Sequence, residues 1–179
     1  PIHPPALKKG DTIGVIAPSS AWDVTKLQPA IDFLTRNGFK IVLHPQTALK
    51  QNQFAGSAED KVNALHDYFA DSSINAIFCT CGGNGALHYL DKIDYNLIKQ
   101  NPKIFMGFSD ITVLLNSIYS QTGLVTFHGP TLTRLDKIEP KWATQMLDIL
   151  TGKTSELTIN APNADIKGTL IGGNLSVLQ

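Results

Sequence analysis

Ser109 is the residue whose type and setting best suit it to chemistry. It follows the apolar run Lys103-Ile104-Phe105-Met106-Gly107-Phe108 and precedes Asp110-Ile111-Thr112-Val113-Leu114-Leu115, which has helical spacing. A serine between a buried strand and a helix sits on a sharp turn with its hydroxyl lifted clear of the sheet. The amide groups that open the following helix welcome negative charge at the same spot. That combination suits an acyl-transfer nucleophile. Gly107 stands two residues before Ser109, as in the elbow motif Gly-x-Ser-x-Gly, but Ile111 replaces the second glycine. Ser and Asp also cap helices, so the local sequence fits a helix cap as well as a nucleophile.

The run Cys81-Gly82-Gly83-Asn84-Gly85 is the second candidate. Main-chain N–H groups after a strand can cradle a phosphate or form half of an oxyanion hole, or the run can be a tight turn. It lacks the Lys-Ser/Thr of a P-loop and the spacing of a dinucleotide fingerprint. His128 ends an apolar run and could serve Ser109 as a base if the two strands are neighbours. A structural histidine is the other reading there. His44 falls further out, and His3, His66 and His88 lie in the opening tail or on predicted helices facing solvent. Asp110 could orient a base, but its backbone N–H is the contribution expected of it. Cys79 and Cys81 are the only cysteines. Two apart on a strand, they share a face and are poorly placed to pair, so they read as reduced thiols. No further metal ligands stand near them, and neither a metal nor a cofactor is expected.

The elements that must position these residues alternate along the chain. Apolar strands are predicted over Asp11–Ala17, Phe39–Leu43, Asn75–Thr80, Lys103–Phe108 and Leu124–His128. Helices are predicted over Val24–Asn37, from a capping box at Ser57-Ala58-Glu59-Asp60 to near Asp71, from Ala86, over Asp94–Gln100, from Ser109 to Gly123, and over Pro140–Leu150. Ser155–Ile159 reads as a further strand. This pattern predicts an α/β fold with a doubly wound, mostly parallel sheet, flavodoxin- or amidotransferase-like. Sites in such sheets lie beyond the carboxyl ends of the strands. Pro18, Ser19, Gly82, Asn84, Ser109 and His128 all fall at those ends. An amidotransferase-like enzyme using Cys79 or Cys81 is a rival reading, although both cysteines precede the glycine turn.

The 179 residues include 15 basic and 15 acidic side chains, for no net charge. No basic run points to nucleic acid, and no apolar run is long enough to span a bilayer. The opening Pro1-Ile2-His3-Pro4-Pro5 has no signal-peptide core, and its first residue is not Met. The expected setting is cytoplasmic. Residues 1–160 read as the α/β domain. Residues 161–179 read as a linker, Ala161-Pro162-Asn163-Ala164-Asp165, then a new strand, a glycine turn and a helix start cut off at Gln179. The expectation is a truncated chain.

Five stretches occur in the same order in a known family. They are Ile13–Ser20, Cys81–Gly85, Gly107-Phe108-Ser109-Asp110-Ile111-Thr112, Thr126-Phe127-His128-Gly129-Pro130 and Gly172-Gly173-Asn174-Leu175. The chain thereby resembles the L,D-carboxypeptidases, a serine peptidase family that also contains the microcin immunity hydrolases. The resemblance implies an N-terminal α/β domain, a strand-rich C-terminal domain and a Ser-His-Glu triad. Ser109 would be the nucleophile, with the N–H groups of Gly83 and Asp110 as the oxyanion hole. The Glu and His would lie after the Gly-Gly-Asn-Leu segment, and His128 matches a position outside the triad. The implied substrate is a murein tetrapeptide, cut to a tripeptide during cytoplasmic cell-wall recycling. Hydrolysis of peptide- or acyl-nucleotide amides is the alternative, and a non-catalytic binding or dimerisation module a third. Homodimers are common in the family. Cys81 and Asn84 replace the family's usual Arg and Tyr, which bears on substrate choice but leaves the main-chain donors intact.

Overall fold

The computed structural model describes residues 1–154 and 168–178. Five parallel strands, β1 (Thr12–Ile16), β2 (Lys40–Leu43), β3 (Ala76–Cys79), β4 (Ile104–Gly107) and β5 (Phe127–His128), form one sheet in the order β2-β1-β3-β4-β5. The helices are α1 (Gln28–Arg36), α2 (Ala58–Ala70), α3 (Tyr95–Gln100), α4 (Thr112–Thr122), α5 (Leu132–Leu135), α6 (Pro140–Leu150) and α7 (Leu175–Leu178). The chain winds one way from β1 to β2, then the other way to β3, β4 and β5, which makes this the doubly wound α/β fold that the alternating pattern implies.

Both faces of the sheet are covered, so the central strands are apolar throughout. Ile77 and Phe105 face the side packed by α2, α3 and α4, with Phe69, Leu65 and Leu114. Phe78, Ile104 and Met106 face the opposite side, with Leu34 of α1, Leu132 of α5 and Leu147 of α6. This alternation is the two-residue period of a strand sorting one sequence into two cores. Gly14 is the fitting point on β1, because a Cβ there would come within 2.5 Å of the Tyr68 ring.

Local signals set the helix ends. Ser57 and Asp60 form the full capping box of α2. Pro140 stands in the first turn of α6, and Gly123 closes α4 at φ 77°. Several elements depart from the sequence expectation. The fifth strand contributes only Phe127 and His128 to the sheet, because Leu124 bridges to Ile2 and the Val125 N–H donates to the Ile2 carbonyl. Val24–Leu27 and Ala86–Lys92 are 3-10 helices rather than α-helical turns, and α5 is an added turn. No strand forms over residues 168–174; there the Asn174 N–H donates to Thr112 Oγ1, and Asn116 Nδ2 donates to the Gly172 carbonyl, docking this stretch on α4. The strand expected over Ser155–Ile159 and the linker Ala161–Asp165 lie outside the described residues. Among the described residues no helix is long and apolar enough to cross a membrane.

Candidate active site

The loops after β1, β3 and β4 meet at the carboxyl edge of the sheet. β4 delivers the chain through extended Phe108 (φ −151°, ψ −176°) into Ser109, whose φ is 62°. Ser109 and Asn52 are the two non-glycine residues with positive φ among those described. A side chain in the left-handed region costs roughly 1–2 kcal/mol, and strain of this kind concentrates at functional turns. A short 3-10 turn, Ser109–Ile111, then leads into α4. Gly107 permits the fold-back, since a Cβ there would come within 2.7 Å of the Ile111 side chain. Ile111 is wholly buried, so the residue that replaces the motif's second glycine anchors the elbow instead.

The glycine loop lies directly against this elbow. A Cβ on Gly82 would sit 2.8 Å from Ser109 Cβ and 3.0 Å from its Oγ. Gly83 has φ 122°, and a Cβ there would strike Ser20 Oγ at 1.9 Å. The Ser20 N–H donates to the Gly82 carbonyl at 3.3 Å, and Cys81 Sγ lies 3.3 Å from the Ser20 carbonyl. Two glycines are therefore required for space alone, one under the serine and one against the β1 loop. Ser109 is partly exposed, and among the described residues its hydroxyl has no hydrogen-bond partner.

Asp110 holds the three loops together through its side chain, a role beyond the backbone N–H expected from sequence. Its Oδ2 accepts from Ser19 Oγ at 2.6 Å and from the Ala86 N–H at 3.0 Å. Ser19 is wholly buried and Asp110 is 8% exposed. One carboxylate oxygen thus ties the β1 loop, the end of the glycine loop and the elbow into one unit, with charge-assisted bonds. Pro18 is also buried, and its carbonyl accepts from the Tyr89 hydroxyl at 2.7 Å. Pro18 and Ser19 accordingly lie beneath the elbow rather than on its open side. Gln46 fixes the next layer: it accepts from the Ala17 N–H and donates to the carbonyls of Ala17 and Ala55.

The remaining sequence candidates are spread around this unit. Asn84 is exposed, and its Oδ1 accepts from Gln53 Nε2 at 3.3 Å. β5 does lie beside β4, with His128 opposite Gly107, but the exposed His128 ring stacks edge-on to Phe108 at 6.4 Å and makes no described hydrogen bond to Ser109. His44 lies at the end of the outer strand β2, 3.1 Å from Asp67. His66 is half-buried, its Nε2 accepts from the Asp94 N–H, and burial lowers its pKa. Both cysteines are free and buried, and burial pushes both thiols up, Cys79 well up. Neither stands on the elbow, and burial of both counts against the amidotransferase-like rival. Among the described residues no cluster of three or more His, Cys, Asp or Glu could hold a metal ion.

A doubly wound parallel domain that presents a strained serine at a strand–helix elbow, against a glycine turn, defines an α/β domain of the elbow-serine class. The chain belongs to the LD-carboxypeptidase N-terminal domain family, Peptidase S66, whose model matches residues 13–129. It is 40% identical to a probable murein peptide carboxypeptidase of Bacillus subtilis over 98% of this chain and 58% of that protein. It is 36% identical to the microcin C7 self-immunity protein MccF of Escherichia coli over 74% of this chain and 39% of that one. An MccF-like protein from Bacillus anthracis superposes with a TM-score of 0.80 at 36% identity, over 84% of this chain and 47% of that one. The chain spans about half the length of the relatives it matches.

Proposed function

We propose that this chain carries the nucleophile and the oxyanion donors of a serine L,D-carboxypeptidase that acts on murein tetrapeptides in cytoplasmic cell-wall recycling. The observation that carries the proposal is Ser109: a non-glycine residue at φ 62°, its hydroxyl without a hydrogen-bond partner among the described residues, packed against Gly82. Its hydroxyl attacks the carbonyl of the amide that joins an L-configured centre to the terminal D-amino acid. The N–H groups of Gly83 and Asp110 receive the developing oxyanion; among the described residues neither is given to a main-chain carbonyl. A base takes the serine proton and returns it to the leaving amine. The acyl-enzyme is then hydrolysed by water, which regenerates the serine. The family resemblance assigns the base to a His oriented by a Glu, both beyond Leu175 in the order of motifs. The chain's own contribution is to hold the serine in the attacking conformation and to fix two donors before charge develops, the arrangement that gives electrostatic catalysis its size.

A second reading is favoured by the likeness to the microcin immunity proteins. In it, the same serine cleaves peptide- or acyl-nucleotide amides. Release of the terminal D-amino acid from an L,D-tetrapeptide by the intact protein, lost in Ser109→Ala, supports the first reading. Turnover of an aminoacyl-sulfamoyl or phosphoramidate nucleoside with no tetrapeptide cleavage overturns it in favour of the second.

A further inference from the structure

A cavity of about 330 Å3 opens beside the glycine loop, and Ser109 is not part of its wall. Phe54, Ser57, Ala58, Lys61, Gly85 and His88 are among its lining residues. Lys61 is only 4% exposed. Its ammonium lies 4.7 Å from the centre of the Phe54 ring and 5.9 Å from that of Tyr89. Among the described residues it has no hydrogen bond and no ion pair. Asp110 acts on it only through its charge, and the Asp110 oxygen that bonds is already taken by Ser19 and Ala86. An ammonium has three N–H donors, and those of Lys61, which meet no protein acceptor among the described residues, are left open to the cavity that it lines.

The first turn of α2 opens on the same cavity. The capping box satisfies the N–H groups of Ser57 and Asp60. The N–H groups of Ala58 and Glu59 have no acceptor within the helix. Gly85 closes the opposite wall, where a Cβ would lie 2.9 Å from the Phe54 ring and 3.3 Å from Lys61 Nζ. A buried cation, free amide donors and an aromatic wall therefore converge on one concave space.

We propose that this cavity binds the carboxylate of a small organic acid, held by the Lys61 ammonium and the first-turn N–H groups of α2, with the acid's carbon chain against Phe54. A monoanion is favoured over a dianion, because Lys61 is the one Lys or Arg among the lining residues and the Asp110 charge already acts on it. The volume equals that of about ten water molecules, which suits a ligand of amino-acid size. The site is separate from the reaction at Ser109, so its test is made in the Ser109→Ala background.

The intact, isotope-labelled Ser109→Ala protein is titrated with acetate and with glycine, using inorganic phosphate and chloride as controls. Saturable shifts are expected at the Ala58, Glu59 and Gly85 amides, with affinities near about 1 mM. Lys61→Met should weaken acetate binding at least about tenfold, the loss of roughly one charge-assisted bond, and Lys61→Arg should retain it. Should Lys61→Met fail to fold, the Lys61 Nζ signal of the parent protein gives the same answer, since bound acetate must raise its titration midpoint. Absence of saturable carboxylate shifts, acetate binding unchanged in Lys61→Met, an Nζ midpoint that acetate leaves in place, or tighter binding of phosphate than of acetate would each overturn the proposal.

Discussion

Gly82→Ala is the perturbation that most cleanly separates the elbow's geometry from its chemistry. Gly82 has no left-handed φ, so alanine brings no backbone strain there, only a methyl group. That methyl would sit 2.8 Å from Ser109 Cβ. Carbon atoms pack without strain at about 3.5 Å, so either the serine or the glycine turn must move by roughly 0.7 Å. A displacement near 1 Å between reacting groups lowers rates by about 10²-fold, and loss of an oxyanion donor lowers them by about 10²–10³-fold. Overpacking of this kind costs about 1–3 kcal/mol of stability. The assay pairs the rate of labelling by a serine-directed fluorophosphonate with a urea unfolding curve on the intact protein. The expected result is a labelling rate lower by about two orders of magnitude in a protein that still folds. A variant that labels at the parent rate would refute the reasoning, because the glycine turn would then not be the wall that positions Ser109.

Three further outcomes follow from the same geometry. Ser109→Gly should be at least as stable as the parent while losing all labelling, and Ser109→Val should lose more than about 1 kcal/mol, because glycine accepts φ 62° and a β-branched residue does not; urea midpoints check both. Asp110→Ala should cost about 2–4 kcal/mol, since it leaves the Ser19 hydroxyl and the Ala86 N–H buried without their acceptor, with amide exchange at Ala86 as the local readout. The Tyr68 hydroxyl donates to the Val42 carbonyl, and burial, reinforced by the charges of Asp71 and Asp67, raises its pKa from 10.0 to about 12. The folded state therefore holds this proton more tightly than the unfolded chain, so its contribution to stability is full below pH 10 and is lost as pH rises through about 12. The difference between the parent and Tyr68→Phe, followed across that range by chemical unfolding, should shrink with pH.

Much of the fold is legible from patterns that depend on one element at a time. The apolar runs of β1, β3 and β4 report burial on both faces, and the capping box at Ser57, Pro140 and Gly123 mark helix ends by local chemistry. The 3-10 stretch Ala86–Lys92 is harder to read, because its spacing differs little from that of a short α-helix. Leu124 and Val125 have strand-forming sequence but pair with Ile2, a partner that only the folded chain supplies. The same holds for the site. Ser109 and the glycines stand out by type, whereas the Asp110 carboxylate works through Ser19, ninety-one positions away. Lys61 carried a signal, since it falls at helical spacing with the buried Leu65 and Tyr68 on the inward face of α2. A charged residue on a helix is ordinarily taken as solvated, and that expectation hides it.

The central claim is that Ser109 is held out of the sheet as a nucleophile, and its most direct test is the covalent one. The intact protein is treated with a fluorophosphonate, and the adduct is located by peptide mass spectrometry. The account predicts a single adduct, on Ser109, formed by attack of its hydroxyl on phosphorus with loss of fluoride. A fully folded protein that carries no adduct at Ser109, or carries it elsewhere, would contradict the account.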